Sequence, residues 1–219
     1  MPTVAENLAE IKSNIQNYKG RIIAVTKYVN EAKVIEAYEA GLRNFGENKA
    51  QDALLKLQNL PQEIIDNSTW HFIGHLQSNK VRKVVGKFDF IHSVDSLELA
   101  QKISCVAKEY GITQNILIEV NISEEKSKFG TSKTKIEEIF TNMPKLDGIK
   151  ICGLMTMAPY TSDEVFLRKV FTDLYELRYN IQHKYQVELP ELSMGMSSDY
   201  KIAVEEGSTM IRLGQRLFR

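Results

Sequence analysis

Arg21-Ile22-Ile23-Ala24-Val25-Thr26-Lys27 is a buried strand in miniature that ends on a lysine. Ile22 to Val25 is a continuous apolar run, β-branched except at Ala24, as a parallel strand covered on both faces requires. Asn30 then caps a helix whose apolar positions Val34, Ile35, Tyr38 and Leu42 follow helical spacing. A strand feeding directly into a helix is half of a βαβ unit, and in such units the C-terminal strand ends form the rim where ligands bind. Taken alone, Lys27 reads as an ordinary solvated lysine at a strand end.

The pattern continues in both directions. Upstream, Thr3 with Glu6 forms a capping box for a helix whose stripe is Val4, Leu8, Ile11, Ile15 and Tyr18, ended by Gly20. Downstream, a short strand at Asn44-Phe45 precedes a helix with Ala50, Ala53, Leu54 and Leu57 inward, closed at Pro61. Strands follow over 69–73, 90–94, 116–122, 149–156, 191–194 and 209–213. Between them lie a basic amphipathic helix over 79–88, a helix opened by Asp95 with Glu98, and a polar loop over 123–131 leading to a helix with Ile136, Ile139, Phe140 and Met143. The longest helix carries Phe166, Val170, Leu174, Leu177 and Ile181, and a helix of roughly two turns follows Ser198. Eight strands alternate with helices without a break in composition, so the spacing predicts one domain over residues 1–219. Its fold class is α/β, a single (β/α)8 TIM-type barrel with an extra N-terminal helix. An open doubly wound sheet would instead carry a Gly-x-Gly-x-x-Gly turn after the first strand, and that turn is absent.

Composition narrows the function. Lys and Arg total 28 and Asp and Glu total 28, so the formal net charge is zero, which gives no support to nucleic acid or an anionic membrane as partner. The basic run 79–88 places Val81, Val84, Val85 and Phe88 at helical spacing and so reads as the wet face of a helix. Cys105 and Cys152 lie apart in apolar contexts and read as buried thiols in a reducing compartment. With no N-terminal signal region and no run approaching about 18 apolar residues, a soluble cytoplasmic protein is expected. No cluster has metal-ligand spacing, and no Gly-x-Ser-x-Gly elbow appears.

In a barrel the residues just past each strand share one face: Lys27, Asn48, His75, Asp95, Asn121, Met157, Ser197 with Ser198, and Arg212 with Gly214. Each also has a plain structural role open to it. Asn48 can cap a helix, the serines can be turn residues, and His71, alternating with Trp70 and Phe72, reads as a hydrogen-bonded structural histidine. The combination says more. Barrels often hold phosphate between the loops after strands seven and eight, and here those loops supply Gly195-Met196-Ser197-Ser198 and Arg212-Leu213-Gly214. A lysine on strand one is their neighbour on a closed rim, an arrangement suited to a phosphorylated aldehyde held as a Schiff base.

Several stretches carry a resemblance. Ile23-Ala24-Val25-Thr26-Lys27, Phe45-Gly46-Glu47-Asn48, the run from Trp70 to Lys80, His92-Ser93-Val94-Asp95, Gly153-Leu154-Met155-Thr156-Met157, Leu192 to Asp199 and Ile211-Arg212-Leu213-Gly214 resemble, in order, the pyridoxal-phosphate homeostasis protein family. The resemblance implies a pyridoxal 5'-phosphate (PLP) barrel related to the N-terminal domain of alanine racemase, without the racemase's C-terminal β-domain. It implies a covalent aldimine on Lys27, Asn48 beside the cofactor and Met157 in the pocket wall. Ser197, Ser198 and the backbone of Gly214 and Gln215 would hold the phosphate, with Arg212 facing the pyridine nitrogen. The tail Gln215-Arg216-Leu217-Phe218-Arg219 departs from the family's small residue and Phe-Gly pair, so Gln215 is where the phosphate contacts would differ. The implied function is a non-catalytic carrier or buffer of PLP, monomeric, with apo PLP-dependent enzymes as recipients and no catalytic residue of its own. A PLP-dependent amino-acid racemase is the alternative, and a phosphosugar-binding barrel a third that leaves Lys27 and Arg212 without joint purpose.

Overall fold

The computed structural model describes residues 2–125 and 129–219. Chain order is α1 (Val4–Asn14), β1 (Arg21–Val25), α2 (Glu31–Glu39), β2 (Asn44–Glu47), α3 (Ala50–Asn59), α4 (Gln62–Asp66), β3 (Thr69–Phe72), α5 (Val81–Val84) and β4 (Phe90–Val94). There follow α6 (Leu97–Glu109), β5 (Gln114–Glu119), α7 (Ile136–Asn142), β6 (Ile149–Met155), α8 (Glu164–Tyr185), β7 (Glu191–Ser193), α9 (Tyr200–Glu205), β8 (Met210–Leu213) and α10 (Gln215–Phe218). Each strand pairs with its sequence neighbour, and the sheet closes where β8 pairs parallel with β1, Ile22 opposite Ile211 and Ile23 opposite Arg212. The expected barrel and its extra N-terminal helix are both present.

Strand alternation builds two apolar layers. Ala24, Phe45, Trp70, Ile91, Leu154 and Ile211 face the helices, whereas Ile23, Leu117, Cys152, Met155 and Met210 meet inside the barrel. The floor of the lumen is closed by a salt bridge between Arg21 and Glu191. Two expected caps are found as read: the Thr3 and Glu6 box on α1, and Asn30, whose side chain accepts from Lys33 N at 3.2 Å.

Several local expectations are corrected. α1 ends at Asn14 rather than running to Gly20, because Asn17 takes a left-handed φ of 68°. The basic helix over 79–88 shrinks to a 3-10 turn (Ser78–Lys80) and the single turn of α5, since Gly86 with φ 72° turns the chain away. Its four apolar residues are nonetheless all buried. Ser96, not Asp95, caps α6, accepting from Leu99 N at 3.3 Å. Cys105 is exposed on the outer side of α6, where its thiol lies 3.7 Å from Glu109 one turn on; only Cys152 is buried. β5 stops at Glu119, and Val120 bridges instead to Thr131 across a loop whose residues 126–128 lie outside those described. α4 and α10 were not anticipated.

Candidate functional site

The C-terminal strand ends of β6, β7, β8, β1 and β2 form one continuous arc of the rim. That arc carries Met157, then Ser197 and Ser198, then Arg212, Gly214 and Gln215, then Lys27, then Asn48. The other rim candidates fall on the opposite arc. There His75 stacks on Phe129 with ring centroids 3.9 Å apart and sits 3.8 Å from Asp95, while Asn121 donates to Glu125 O at 2.8 Å.

Lys27 is exposed two residues past the end of β1, its amine 4.9 Å from the centroid of the Tyr28 ring. Its backbone is held by the residue before it. Thr26 N donates to Gly46 O at 3.0 Å and Thr26 Oγ1 donates to Glu47 Oε1 at 2.7 Å. Behind them Lys56 of α3 donates to Thr26 O at 2.6 Å and to Glu47 Oε1 at 2.7 Å. A buried ion pair thus fixes the strand end while the Lys27 side chain stays exposed above it. Asn48 is half-buried and does not cap α3, whose N-cap is Lys49 without a side-chain bond. Its carbonyl lies so close to Gly74 that any Cβ there would collide with it.

Arg212 projects into the lumen and is 4 % exposed. Its NH1 donates to Ser193 Oγ at 2.6 Å and NH2 donates to Thr156 O at 2.9 Å. Burial draws the guanidinium down to about 10, against the pull of the Asp199 and Glu119 carboxyls, so it remains a cation near neutrality. Glu119 enters the same space from β5. Burial pushes it up to about 7, with Arg212 opposing and Asp95 adding to the shift, and its Oε1 has no hydrogen-bond partner among the described residues.

The loop after β7 turns tightly at Gly195, whose φ is 95° and whose added Cβ would sit 2.6 Å from Ala203 Cβ. Gly195 O accepts from Arg212 N at 2.9 Å, and Asp199 Oδ1 accepts from Met196 N at 2.5 Å. Burial raises the Asp199 carboxyl, which the Met196 N-H and Arg212 partly offset. Ser197 is half-buried and accepts from Arg216 N at 3.2 Å, whereas Ser198 is exposed. Gly214 is the N-cap of α10, its carbonyl accepting from Leu217 N and Phe218 N at 3.0 and 3.1 Å; the Gln215 side chain is exposed. Met157, half-buried, packs against the inner apolar group. Sequence reasoning missed Glu119, Asp199, Ser193 and the Thr26-Glu47-Lys56 clamp. Strand alternation could have placed Glu119 and Ser193 inward, but nothing in the sequence pairs Glu47 with Lys56.

This donor set suits PLP: an amine on the rim, hydroxyls and backbone N-H groups at the loops after β7 and β8, and a buried guanidinium deeper in the barrel. Residues 1–219 match the family model described as "Alanine racemase, N-terminal domain". The chain is 40% identical over 198 residues to the pyridoxal phosphate homeostasis protein of Aquifex aeolicus, covering 90% of this chain and 86% of that protein. It is 37% identical to PipY of Synechococcus elongatus PCC7942, solved with PLP bound, with a TM-score of 0.88 over 99% of this chain and all of that one. A more distant likeness in fold joins it to the Clostridium difficile alanine racemase, 16% identical with a TM-score of 0.80, of which the match covers 56%. By sequence and by fold, the chain belongs to the alanine racemase N-terminal domain family, among the pyridoxal phosphate homeostasis proteins.

Proposed function

We propose that this chain binds PLP on the rim arc from β6 to β2 and serves its homeostasis as a carrier or buffer, without turning over a substrate. The observation that carries the reading is Arg212, a buried cation whose two short bonds go to neutral oxygens, Ser193 at the end of β7 and Thr156 just past β6, one strand from Lys27. PLP supplies an electrophilic aldehyde, a phosphate and an electron-withdrawing ring. Lys27 is assigned the bond to the aldehyde carbon, Ser197, Ser198, Gly214 and Gln215 the phosphate, and Asn48 and Met157 the flanks of the ring.

Arg212 is assigned the pyridine nitrogen. A guanidinium only donates, so it holds that nitrogen unprotonated and leaves the ring a modest sink for a substrate carbanion. A racemase also needs a second base on the opposite face of the ring. Tyr160, a rim tyrosine, is 97 % exposed with nothing among the described residues to position it. The chain is proposed to act as a single-domain cytoplasmic monomer whose open rim yields PLP to apo PLP-dependent enzymes.

The test uses holo-protein incubated with L- and D-alanine in deuterated water and, separately, with an apo-enzyme acceptor while released PLP is trapped. Borohydride labelling of Lys27, negligible Cα exchange and reactivation of the acceptor are expected. Saturable exchange with inversion at about 1 per second or faster would establish the racemase instead.

A further inference from the structure

A (β/α)8 lumen is ordinarily packed with branched apolar side chains. Here the inner apolar group of Ile23, Leu117, Cys152, Met155 and Met210 shares the lumen with a file of polar groups crossing the barrel through β2, β3, β4, β7 and β8. His71 Nε2 lies 3.1 Å from Asn44 Oδ1, and His71 Nδ1 lies 2.9 Å from His92 Nε2. His92 Nδ1 lies 2.9 Å from Ser193 Oγ, and Ser193 Oγ accepts from Arg212 NH1 at 2.6 Å. His71, His92 and Ser193 have no exposed surface.

The proton positions follow from this geometry. Burial holds both imidazoles neutral, aided by the neighbouring charges: His71 is pushed down to about 3 with Arg21 adding to the effect, and His92 well below its ordinary value with His71, Arg212 and Arg21 adding. Each neutral ring therefore offers one N-H and one lone pair. Asn44 Oδ1 accepts, so His71 carries its proton on Nε2 and accepts at Nδ1. His92 must then donate from Nε2 and accept at Nδ1, which leaves the Ser193 hydroxyl to donate to His92 and turn its lone pairs to Arg212. The reverse polarity would aim both His92 and Arg212 at Ser193 Oγ and leave a buried hydroxyl proton with no acceptor among the described residues.

We infer that Asn44, His71, His92 and Ser193 form a hydrogen-bond file running in a single direction, and that it positions the Arg212 guanidinium toward the pyridine nitrogen of the ligand. The positioning step rests on the PLP reading above; the direction of the file does not. His92 and Ser193 are positioning residues, acting on the ligand only through Arg212. The arrangement gives Arg212 a strong acceptor without a direct carboxylate, so its charge stays available to the ligand.

The test has an arm that needs no ligand. In the full chain with 15N-labelled histidine, two-bond proton-nitrogen spectra between about pH 5 and 8 should show His71 and His92 neutral throughout, each with its proton on Nε2. Titration of either ring in that window, or a proton on Nδ1, would overturn the file. The second arm compares PLP with 1-deaza-PLP, whose ring has carbon in place of the nitrogen. Ser193→Ala should weaken PLP about tenfold, or about 1.4 kcal/mol, leave the deaza analogue unchanged, and mix the His92 tautomers, while Ser193→Thr, which keeps the hydroxyl, should restore both the PLP affinity and the single His92 tautomer. Equal losses for both ligands would overturn the positioning role, even with the tautomers as inferred. Failure of the unsubstituted protein to bind PLP would overturn the functional reading and the positioning role together, leaving the tautomer result to stand or fall by itself.

Discussion

Replacing Lys56 with Met tests whether the rim lysine is held from behind. The substitution keeps a side chain of similar length and removes the ammonium, which bonds Glu47 Oε1 at 2.7 Å and Thr26 O at 2.6 Å. Glu47 is 2 % exposed, so its carboxylate would keep the Thr26 hydroxyl and lose its counter-charge. Stranding one member of a buried pair costs about 3 to 5 kcal/mol. For a chain of this length that is a fall in Tm of about 6 to 20 °C, at roughly 2 to 4 °C per kcal/mol. Urea unfolding of the wild type, Lys56→Met, Glu47→Gln and the double variant forms a cycle. The double variant should lose less than the two single losses added together, with a coupling of about 1 to 3 kcal/mol. A loss below about 1 kcal/mol for Lys56→Met, the scale of an exposed pair, would refute the clamp. Such a result would leave the placement of Lys27 resting on the strand alone.

Two further outcomes are expected. Ser197→Ala with Ser198→Ala should weaken PLP by about 1 to 3 kcal/mol and pyridoxal far less, measured by fluorescence titration; equal losses would mean that the serines act through the fold. Because the folded protein holds His71 down near 3 while an unfolded histidine titrates near 6.5, its contribution to stability is complete above about pH 6.5 and is lost as pH falls towards 3. Urea midpoints should therefore drop across that window, and His71→Asn should flatten the slope; a slope unchanged by the substitution would count against a neutral buried ring.

The barrel was legible because its signals are local. The Ile22 to Val25 run, the Asn30 cap and the Thr3 and Glu6 box each lie within a few residues of what they determine, and each is found as read. Cap competition is less legible: Asp95 and Ser96 both suit an N-cap, and the backbone selected Ser96. The rim arc could be inferred from closure, since β7, β8, β1 and β2 must be neighbours once the sheet is closed. What lies across the lumen could not. His71 read correctly as a hydrogen-bonded structural residue, yet its partner His92 is 21 positions away and the next member, Ser193, a further 101. Alternation says which side chains point inward but not which strands bring them to the same height, because that depends on the stagger of the closed sheet. α10 escaped notice for a similar reason. A four-residue turn has no periodicity to detect, and its supports lie on α1, where Asn7 Nδ2 donates to Leu217 O at 3.0 Å and Glu10 pairs with Arg216.

Closure of β8 onto β1 also sets an order of events during synthesis. Chains are made from the N-terminus at about 5 to 20 residues per second, so Lys27 and Asn48 emerge well before Ser197, Arg212 and Gly214. Until β8 leaves the ribosome, β1 lacks its β8 partner and Arg212 has not met Ser193 or Thr156. On the proposed site assignment, a nascent chain lacking β8 exposes the Lys27 amine before the groups assigned to the ring and the phosphate are in place. On the same assignment, capture of the ligand coincides with completion of the barrel, and the contacts assigned to it would oppose reopening of the β8 and β1 seam.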